Sequence, residues 1–158
     1  MAARDTLREL SNSVCIVGVD ESDELGTLPH KSQLALHLEA ITNAVGDAGL
    51  NLSDVDGIFT AGQHSPALLG EALGITPRYV DGTSVGGCSF MILVEHAVAA
   101  LHHHLCDVAV VSHGESGRSG VGVTRARDTS ISGQYEIPYG FGAAPTFFSR
   151  AATRTGAS

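Results

Sequence analysis

The chain has 158 residues, of which 43% are hydrophobic and 16% are charged, and its formal net charge is −8. That length and composition suit one soluble globular domain with a hydrophobic core and argue against disorder. The negative charge disfavours a nucleic-acid partner, because binding to phosphates needs a clustered basic surface. Five of the 9 basic residues fall in the last third of the chain, which leaves room for a local site for a small phosphorylated ligand.

The N-terminal sequence MAARDTLRELSNS contains neither a continuous hydrophobic stretch nor a small-residue cleavage site. No segment of the sequence approaches the roughly 18 uninterrupted apolar residues of a membrane span. Cys15, Cys88 and Cys106 form no CxxC pattern, and scattered cysteines of this kind are typical of reduced thiols. We therefore expect a cytoplasmic protein without membrane attachment.

Apolar patterning predicts the first elements of the chain. Residues 13–18 (SVCIVG) are rich in Val and Ile, which predicts a buried first strand. The polar residues 20–32 are interrupted by glycine and proline and predict a loop. Ser32 and Gly49 then bracket a predicted helix, with Ser32 as the N-cap and Gly49 as the stop. Its apolar residues recur at spacings of three and four: Leu34, Leu38, Ile41, Val45 and Ala48.

A second strand is predicted at residues 57–60, and a short helix follows it. Ser65 is a good N-cap and Pro66 suits the first helical turn, where a missing N–H costs nothing. Gly74 is the expected end of that helix.

Residues 78–81 predict a third strand, residues 89–104 a helix and residues 107–112 a fourth strand. The helix is apolar on most faces, which predicts that it is buried inside the protein. Strands that alternate with helices in this way predict right-handed βαβ units and a largely parallel sheet in an α/β fold.

Residues 113–145 are polar and rich in glycine, without clear periodicity. Loops of this length in compact domains are usually functional or supported by a partner. Residues 145–158 predict the start of an amphipathic helix. We therefore divide the chain into a core at 1–112 and a loop with the start of a cap region at 113–158.

The segment with the clearest chemical potential is the turn at Gly86, Gly87 and Cys88, where a strand runs into the apolar helix. Glycines permit a sharp turn, and free backbone N–H groups meet the positive end of the helix dipole there. A thiol at such a turn has its pKa lowered, and a developing oxyanion is stabilised. A small buried cysteine without a catalytic role is the commoner outcome for these residues alone.

A family resemblance covers nearly the whole chain. The segments VCIVGVDES, ALHLEAITNAVGDAGLNLSDVDGIFTAG, VGGCSF, EHAVAAL, CDVAVVSHGESGRSG and QYEIPYGFGAAP occur in that order. Together they resemble the N-terminal half of thiolases, closest to the sterol-carrier-protein-type thiolases and the thiolase-like steroid side-chain aldolases. The resemblance implies a thiolase-like fold, of which this chain supplies an N-terminal βαβ half with a mostly parallel sheet and a buried helix.

The resemblance places the family's acylated cysteine at Gly87, one residue before Cys88. One residue is a rotation of about 100° around a helix, so Cys88 points elsewhere unless the turn is adjusted. Two hypotheses follow for the catalytic position. Either Cys88 serves as the nucleophile, or Gly87 marks the aldolase branch, which does not use a covalent cysteine.

Six further residues are candidates for substrate binding. His113 and Glu115 follow the fourth strand, at the edge where parallel sheets place ligands. By resemblance, Arg118 and Ser119 lie in the loop after that strand, and the aromatic residues of QYEIPYGFG line the acyl pocket. For each of them a purely architectural role in a loop is the alternative. The six are His113, Glu115, Arg118, Ser119, Tyr139 and Phe141.

Two histidine features have simpler interpretations. His102, His103 and His104 are consecutive, so they cannot converge on one metal ion, and we interpret them as a solvated helix end. His96 is interpreted as a hydrogen-bonded core or interface residue in preference to a base. No metal site is expected.

The resemblance implies an enzyme that makes or breaks a C–C bond in acyl-CoA substrates, with coenzyme A as part of the substrate and no other cofactor. The reaction is either retro-aldol cleavage of a β-hydroxyacyl-CoA side chain, as in steroid degradation, or thiolase acyl transfer. The resemblance also implies a homodimer and an OB-fold partner protein. The alternative is a non-catalytic CoA-binding or assembly subunit that needs a partner, and we expect the chain alone to be inactive.

Overall fold

A computed structural model describes residues 10–62, 64–121 and 134–135. The chain divides into two compact units, Met1–Val123 and Thr124–Ser158. Within the second unit, Gln134 and Tyr135 are described; both are helical, and Tyr135 is exposed. The predictions for Tyr139, Phe141 and the helix at 145–158 lie outside the described residues.

Helix α1 spans Gln33–Asp47 and begins where the sequence predicts it. The Oγ of Ser32 accepts a hydrogen bond from the N–H of Ala35, which confirms the N-cap. After the helix, Gly49 has a φ of 69°, a left-handed conformation that favours glycine. The buried face of the helix is rotated relative to the apolar positions that the sequence predicts. Two of those positions, Leu34 and Leu38, are only half-buried. The side chains that α1 buries are Gln33, Leu36, His37, Ile41 and Val45.

Strand β1 spans Gly57–Ala61, helix α2 spans Pro66–Leu73 and strand β2 spans Tyr79–Thr83. The Oγ of Ser65 accepts from the N–H of Leu68, and Gly74 ends α2 with a φ of 72°. Both signals for the short helix are therefore confirmed.

Helix α3 spans Ser89–His102 and strand β3 spans Ala109–Ser112. The three strands form one parallel sheet in the order β2–β1–β3. The predicted α/β class with parallel strands is confirmed.

Two hydrophobic clusters show that helices cover both faces of the sheet. On one face Ile58 packs with Ile41 of α1 and Leu69 of α2. On the other face Phe59 packs with Leu93 and with other residues of α3. Alternate residues of a strand point to opposite faces, so neighbouring residues of β1 belong to different clusters.

One side of α3 is packed and the other is open. Leu93, Ala97 and Ala100 are buried against the sheet. On the outward side, Met91 is 76% exposed and Val94 is 44% exposed. The described residues therefore bury only part of a helix whose sequence is apolar on most faces.

The predicted strand at 13–18 is wrong. The structure assigns no strand to these residues, and Ile16 is 80% exposed. The segment is held by α1 instead: the N–H of Val19 donates to Asp47 Oδ2 at 3.0 Å, and Gly18 lies close against Ala44 and Ala48. A Val- and Ile-rich run favours an extended backbone, but it forms a strand only where a neighbouring strand offers hydrogen bonds.

A polar network ties the amino ends of the strands together. The carboxylate of Asp56 accepts from the N–H groups of Asp107 and Val108 at 2.8 and 2.9 Å, and from Arg78 Nη1 at 3.0 Å. Arg78 also donates to Asp107 and to the carbonyl oxygen of His104. Burial alone would raise the pKa of Asp56, but the two N–H groups and the guanidinium outweigh it and hold that pKa below its usual value.

Candidate functional site

The turn that leads from β2 into α3 is built on local hydrogen bonds. The N–H of Val85 donates to Ser89 Oγ at 3.0 Å, and the thiol of Cys88 donates to the carbonyl oxygen of Val85 at 3.3 Å. Gly86 has a φ of 81°, a conformation that favours glycine. The residues Gly86–Cys88 form a 3₁₀ turn, and α3 starts directly after it.

The start of α3 is accessible. Cys88 is exposed, and a Cβ built on Gly87 would meet no atom within 4 Å. The first turn of an α-helix has N–H groups without intrahelical partners and carries the positive end of the helix dipole. The turn can therefore stabilise negative charge on a group that approaches Gly87.

His113 lies beside this turn. Its ring is 4.8 Å from the ring of Phe90, the second residue of α3, measured between centroids. Its Nε2 lies 3.1 Å from Glu115 Oε2, and both side chains are partly exposed. The pair follows β3 at the carboxyl end of the sheet, where the sequence predicts substrate-binding residues.

A buried histidine supports His113 from the side of α1. His37 is fully buried, and its Nδ1 lies 3.0 Å from Ser112 Oγ. The His37 ring is 5.9 Å from that of His64 and 6.2 Å from that of His113. Burial first, and then the nearby His113 and His64, lower the pKa of His37 to about 4. His37 is therefore neutral at pH 7.

Two buried polar atoms at this end of the sheet have no hydrogen-bond partner among the described residues. They are His37 Nε2 and Thr60 Oγ1. Thr60 is aligned with Ser112 in the neighbouring strand, so both side chains lie on the face that α1 covers. Buried polar groups are normally paired, and unpaired ones mark places where a water, a ligand or a proton is accommodated.

The loop after β3 approaches α1 very closely at Gly114. A Cβ there would lie 2.5 Å from the carbonyl oxygen of Gln33 and 2.6 Å from His37 Cδ2. Only glycine fits without displacing these atoms. The close approach fixes the position of the neighbouring His113 relative to α1.

The next residues of the loop are tied to the segment before α1. Ser116 Oγ donates to the carbonyl oxygen of Gly26 at 2.9 Å, and Ser119 Oγ accepts from the N–H of Leu28. Arg118 is exposed and forms no described contact. Of the predicted binding residues, Ser119 therefore forms a tethering contact and Arg118 is open to solvent. His113, paired with Glu115, lies next to the turn of Gly87 and Cys88.

Sequence reasoning missed His37 and His64. A signal for His37 is its spacing of four residues from Ile41 and from Gln33, which puts all three on one helical face. The predicted stripe ran through Leu34 and Leu38 instead. No local signal singles out His64, because its role depends on packing against α1.

The remaining histidines lie apart from this cluster. His96 Nδ1 is 2.6 Å from Asp81 Oδ2, a partly exposed pair that joins α3 to β2. His102 ends α3, and the carbonyl oxygen of His104 accepts from Arg78. Within residues 10–62, 64–121 and 134–135, no group of His, Cys, Asp and Glu side chains is arranged to hold a metal ion.

No helix in the part of the chain that the structure describes has both the length and the apolar character needed to cross a membrane. The cysteines Cys15, Cys88 and Cys106 are all free.

Known proteins are similar to this chain in sequence and in fold. No family model matches the chain. The 17-hydroxy-3-oxo-4-pregnene-20-carboxyl-CoA lyase of Mycobacterium tuberculosis is 30% identical over 142 residues, which cover 83% of this chain and 36% of the lyase. The steroid side-chain-cleaving aldolase of Thermomonospora curvata is 31% identical over 115 residues, which cover 71% of this chain and 29% of that aldolase.

The solved structure of an Ltp2-ChsH2(DUF35) aldolase superposes with a TM-score of 0.71 at 27% identity, over 88% of this chain and 36% of that one. An acetyl-CoA acetyltransferase from Syntrophomonas wolfei superposes with a TM-score of 0.53 at 21% identity, over 61% of this chain and 27% of that one. The chain has a thiolase-like fold, and its sequence is similar to those of steroid side-chain-cleaving aldolases. The family resemblance inferred from the sequence segments is confirmed, and steroid side-chain-cleaving aldolases are among the relatives.

This thiolase-like chain spans about a third of the length of the curated relatives it matches, 36% of one and 29% of the other.

Proposed function

We propose that this chain is part of a thiolase-like enzyme that cleaves a C–C bond in a β-hydroxyacyl-CoA by a retro-aldol reaction. The observation that carries the proposal is the similarity to a carboxyl-CoA lyase and a steroid side-chain-cleaving aldolase over most of this chain. In the proposed assignment the chain corresponds to the N-terminal part of such an enzyme. The substrate's acyl group is a steroid side chain.

The reaction needs three events. A base removes the proton of the β-hydroxyl group, the bond between the α and β carbons breaks, and its electron pair moves into the thioester as an enolate. The β carbon leaves as a ketone or aldehyde, and the enolate takes up a proton to give the shortened acyl-CoA. Stabilising the enolate oxygen is the electrostatic part of this catalysis.

We assign that electrostatic part to the turn before α3. The exposed site at Gly87 lets a thioester approach the positive end of the helix, and no side chain of residue 87 interferes. Retro-aldol cleavage needs no covalent acyl-enzyme, so a glycine at this position is compatible with the reaction. A thiolase acyl transfer instead needs a nucleophile there.

His113 and Glu115 are proposed to line the acyl pocket next to this turn. Their side chains are partly exposed, and the ring contact with Phe90 places His113 at the first turn of α3. Arg118 is proposed to contact a CoA phosphate, on the basis of its exposure and charge. Tyr139 and Phe141 remain proposed pocket residues on the resemblance alone.

The proposal is tested with a chimera in which this chain replaces the stretch that it matches in the Mycobacterium tuberculosis lyase. We expect the chimera to convert 17-hydroxy-3-oxo-4-pregnene-20-carboxyl-CoA into a ketone and a shortened acyl-CoA, as measured by mass spectrometry. An unreplaced lyase serves as the positive control, and circular dichroism confirms folding. A folded chimera that transfers acyl groups from acetoacetyl-CoA and leaves the β-hydroxyacyl-CoA intact would contradict the proposal.

The proposed partners are an OB-fold protein and a second copy of the complete enzyme, in the cytoplasm. The Ltp2-ChsH2(DUF35) aldolase carries two components in its name, which supports a partner protein for this chain. The free state of all three cysteines agrees with a reducing compartment.

A non-catalytic assembly subunit is the second candidate function. The exposed apolar side of α3, with Met91 and Val94, favours a chain that needs a partner in either case. A folded chimera that forms a stable complex with a partner protein but shows no turnover would favour this candidate.

A further inference from the structure

The chemistry of a retro-aldol reaction requires its base to lie next to the group that stabilises the enolate. The proton leaves the β-hydroxyl group, while the negative charge develops on the oxygen of the thioester. The carbons that carry these two oxygens are separated by a single carbon atom. With the enolate at the turn before α3, the base therefore has to lie beside that turn.

The described titratable side chains at or beside the turn include Cys88, His113 and Glu115. The thiol of Cys88 donates to the carbonyl oxygen of Val85 at 3.3 Å, so it is turned back onto its own loop. Glu115 Oε2 is engaged by the ring of His113. An imidazole has a second nitrogen when the first is in a hydrogen bond, which makes His113 the strongest candidate.

The contact with Glu115 determines which nitrogen of His113 is basic. Its Nε2 lies 3.1 Å from Glu115 Oε2. An ionised carboxylate only accepts hydrogen bonds, so Nε2 carries the hydrogen and donates it. In the neutral ring the lone pair is then on Nδ1. A carboxylate that fixes the tautomer of a histidine in this way prepares the other nitrogen to take up a proton.

Phe90 holds His113 at the start of α3. The two rings are 4.8 Å apart between centroids and inclined at 62°, an edge-to-face contact. Phe90 itself packs against the hydrophobic cluster that contains Phe59 and Leu93, so its ring is a fixed support. Phe90 follows Gly87 by three residues, which places His113 within about one helical turn of the proposed enolate position.

The backbone is anchored to α1 on both sides of His113. On one side Ser112 is buried, and its Oγ lies 3.0 Å from Nδ1 of His37. On the other side Gly114 packs against Gln33 and His37 so closely that a side chain would not fit. His113 therefore loses little freedom when a substrate binds, which is the condition for a preorganised catalytic group.

Given the proposed retro-aldol function, on which this assignment rests, we propose that His113 is the general base and that Glu115 positions it. Nδ1 of His113 takes the proton as the O–H bond of the β-hydroxyl group breaks. The electron pair of that bond forms the C=O bond of the ketone or aldehyde. The bond between the α and β carbons breaks, and its electron pair forms the enolate. Protonated His113, stabilised by the carboxylate of Glu115, then returns the proton to the α carbon and is restored to its neutral form.

The test uses the chimera with the Mycobacterium tuberculosis lyase and 17-hydroxy-3-oxo-4-pregnene-20-carboxyl-CoA as the substrate. His113→Ala removes the base, and we expect kcat to fall by at least about 100-fold. Added imidazole supplies a base in its place and should raise kcat of H113A by at least about tenfold. His113→Asn keeps a polar side chain but cannot take up the proton, so it should be as slow as H113A.

His96→Ala is the matched control. His96 is also paired with a carboxylate, since its Nδ1 lies 2.6 Å from Asp81 Oδ2. It lies about 10 Å along the axis of α3 from the start of that helix, at 1.5 Å per residue. We expect H96A to change kcat by less than about twofold and to gain nothing from imidazole.

Two substitutions test the positioning role of Glu115. Glu115→Gln keeps an oxygen that accepts the Nε2–H of His113, whereas Glu115→Ala removes it. We expect E115A to lower kcat about tenfold and E115Q to lower it by no more than about threefold. Equal losses in the two variants contradict this role.

Circular dichroism checks that each chimera is folded. A fall in kcat of less than about tenfold in H113A, or no gain from imidazole, contradicts the assignment of His113 and leaves the proposed function standing. Cleavage by H113N at the rate of the unsubstituted chimera does the same. A folded unsubstituted chimera that does not cleave the substrate overturns the proposed function and the assignment together.

Discussion

The two ends of the parallel sheet are built in opposite ways. At the amino ends of the strands, the carboxylate of Asp56 satisfies two backbone N–H groups and one guanidinium. At the carboxyl ends, His37 Nε2 and Thr60 Oγ1 are buried without a described partner. One end of the sheet therefore uses its polar groups to hold the strands in register. The other end keeps buried polar atoms without hydrogen-bond partners near the turn at Gly87.

The largest expected effect comes from the close approach at the carboxyl end. Gly114→Ala places a methyl group against the backbone of Gln33 and the ring of His37. We expect a loss of about 3 kcal/mol in the free energy of unfolding, as in other overpacked positions. Gly87→Ala is the matched control, because a Cβ there meets no atom within 4 Å, and it should change stability by less than about 0.5 kcal/mol. Urea unfolding measures both, and equal losses would contradict the packing at Gly114.

The amino end is tested with Asp56→Ala. The substitution leaves the N–H groups of Asp107 and Val108 without their acceptor and removes one of the three acceptors of the Arg78 guanidinium. We expect a loss of about 2 kcal/mol in the free energy of unfolding. Asp107→Ala removes only an exposed ion pair with Arg78 and should cost less than about 1 kcal/mol. If D107A lowers the free energy of unfolding as much as D56A or more, Asp56 is not the residue that holds the amino ends of the strands together.

Much of this framework could be predicted from the sequence, because the decisive signals are local. Ser32 and Ser65 cap helices as predicted, and Gly74 ends α2 in a left-handed conformation. The strand at 13–18 could not be judged in this way, since an apolar run does not reveal whether a neighbouring strand exists.

The candidate site was predictable only in part, and for a similar reason. The turn at Gly87 and the position of His113 follow from the order of elements, because loops after parallel strands meet at one edge. The burial of His37 depends on a rotation of α1 of about one residue, which the spacing of its leucines did not indicate.

The low pKa of His37 gives a pH prediction for the carboxyl end. The unfolded chain binds a proton at His37 below pH 6.5, whereas the folded chain does so only near pH 4. The contribution of neutral His37 is thus fully present above pH 6.5 and is lost as the pH falls towards 4. We expect a fall of about 3 kcal/mol in the free energy of unfolding across this window, because each unit of difference between the folded and unfolded pKa corresponds to about 1.4 kcal/mol.

The measurement is urea unfolding as a function of pH. His37→Gln lacks the titrating group and should flatten the profile between pH 6.5 and 4. His103→Gln, at an exposed position, is the control and should leave the profile as it is. A steep profile that persists in H37Q would assign the titration to a group other than His37.

The smallest expected effect concerns thiol reactivity at the turn. Cys88 and Cys15 are both exposed and Cys106 is buried. If Cys88 has no nucleophilic role, iodoacetamide labels it at a rate within about threefold of Cys15, and it labels Cys106 far more slowly. Mass spectrometry of digested protein measures the three rates. Labelling of Cys88 at least about tenfold faster than Cys15 would identify an activated thiolate.

The most direct test of the central claim, that the site at Gly87 cleaves C–C bonds without a covalent cysteine, is Cys88→Ala in the chimera with the Mycobacterium tuberculosis lyase. The account predicts that kcat for the β-hydroxyacyl-CoA substrate changes by no more than about twofold. It also predicts that intact-mass analysis finds no acyl group on the unsubstituted chimera. A loss of about 100-fold or more in kcat, together with an acyl adduct on Cys88 in the unsubstituted chimera, would contradict it.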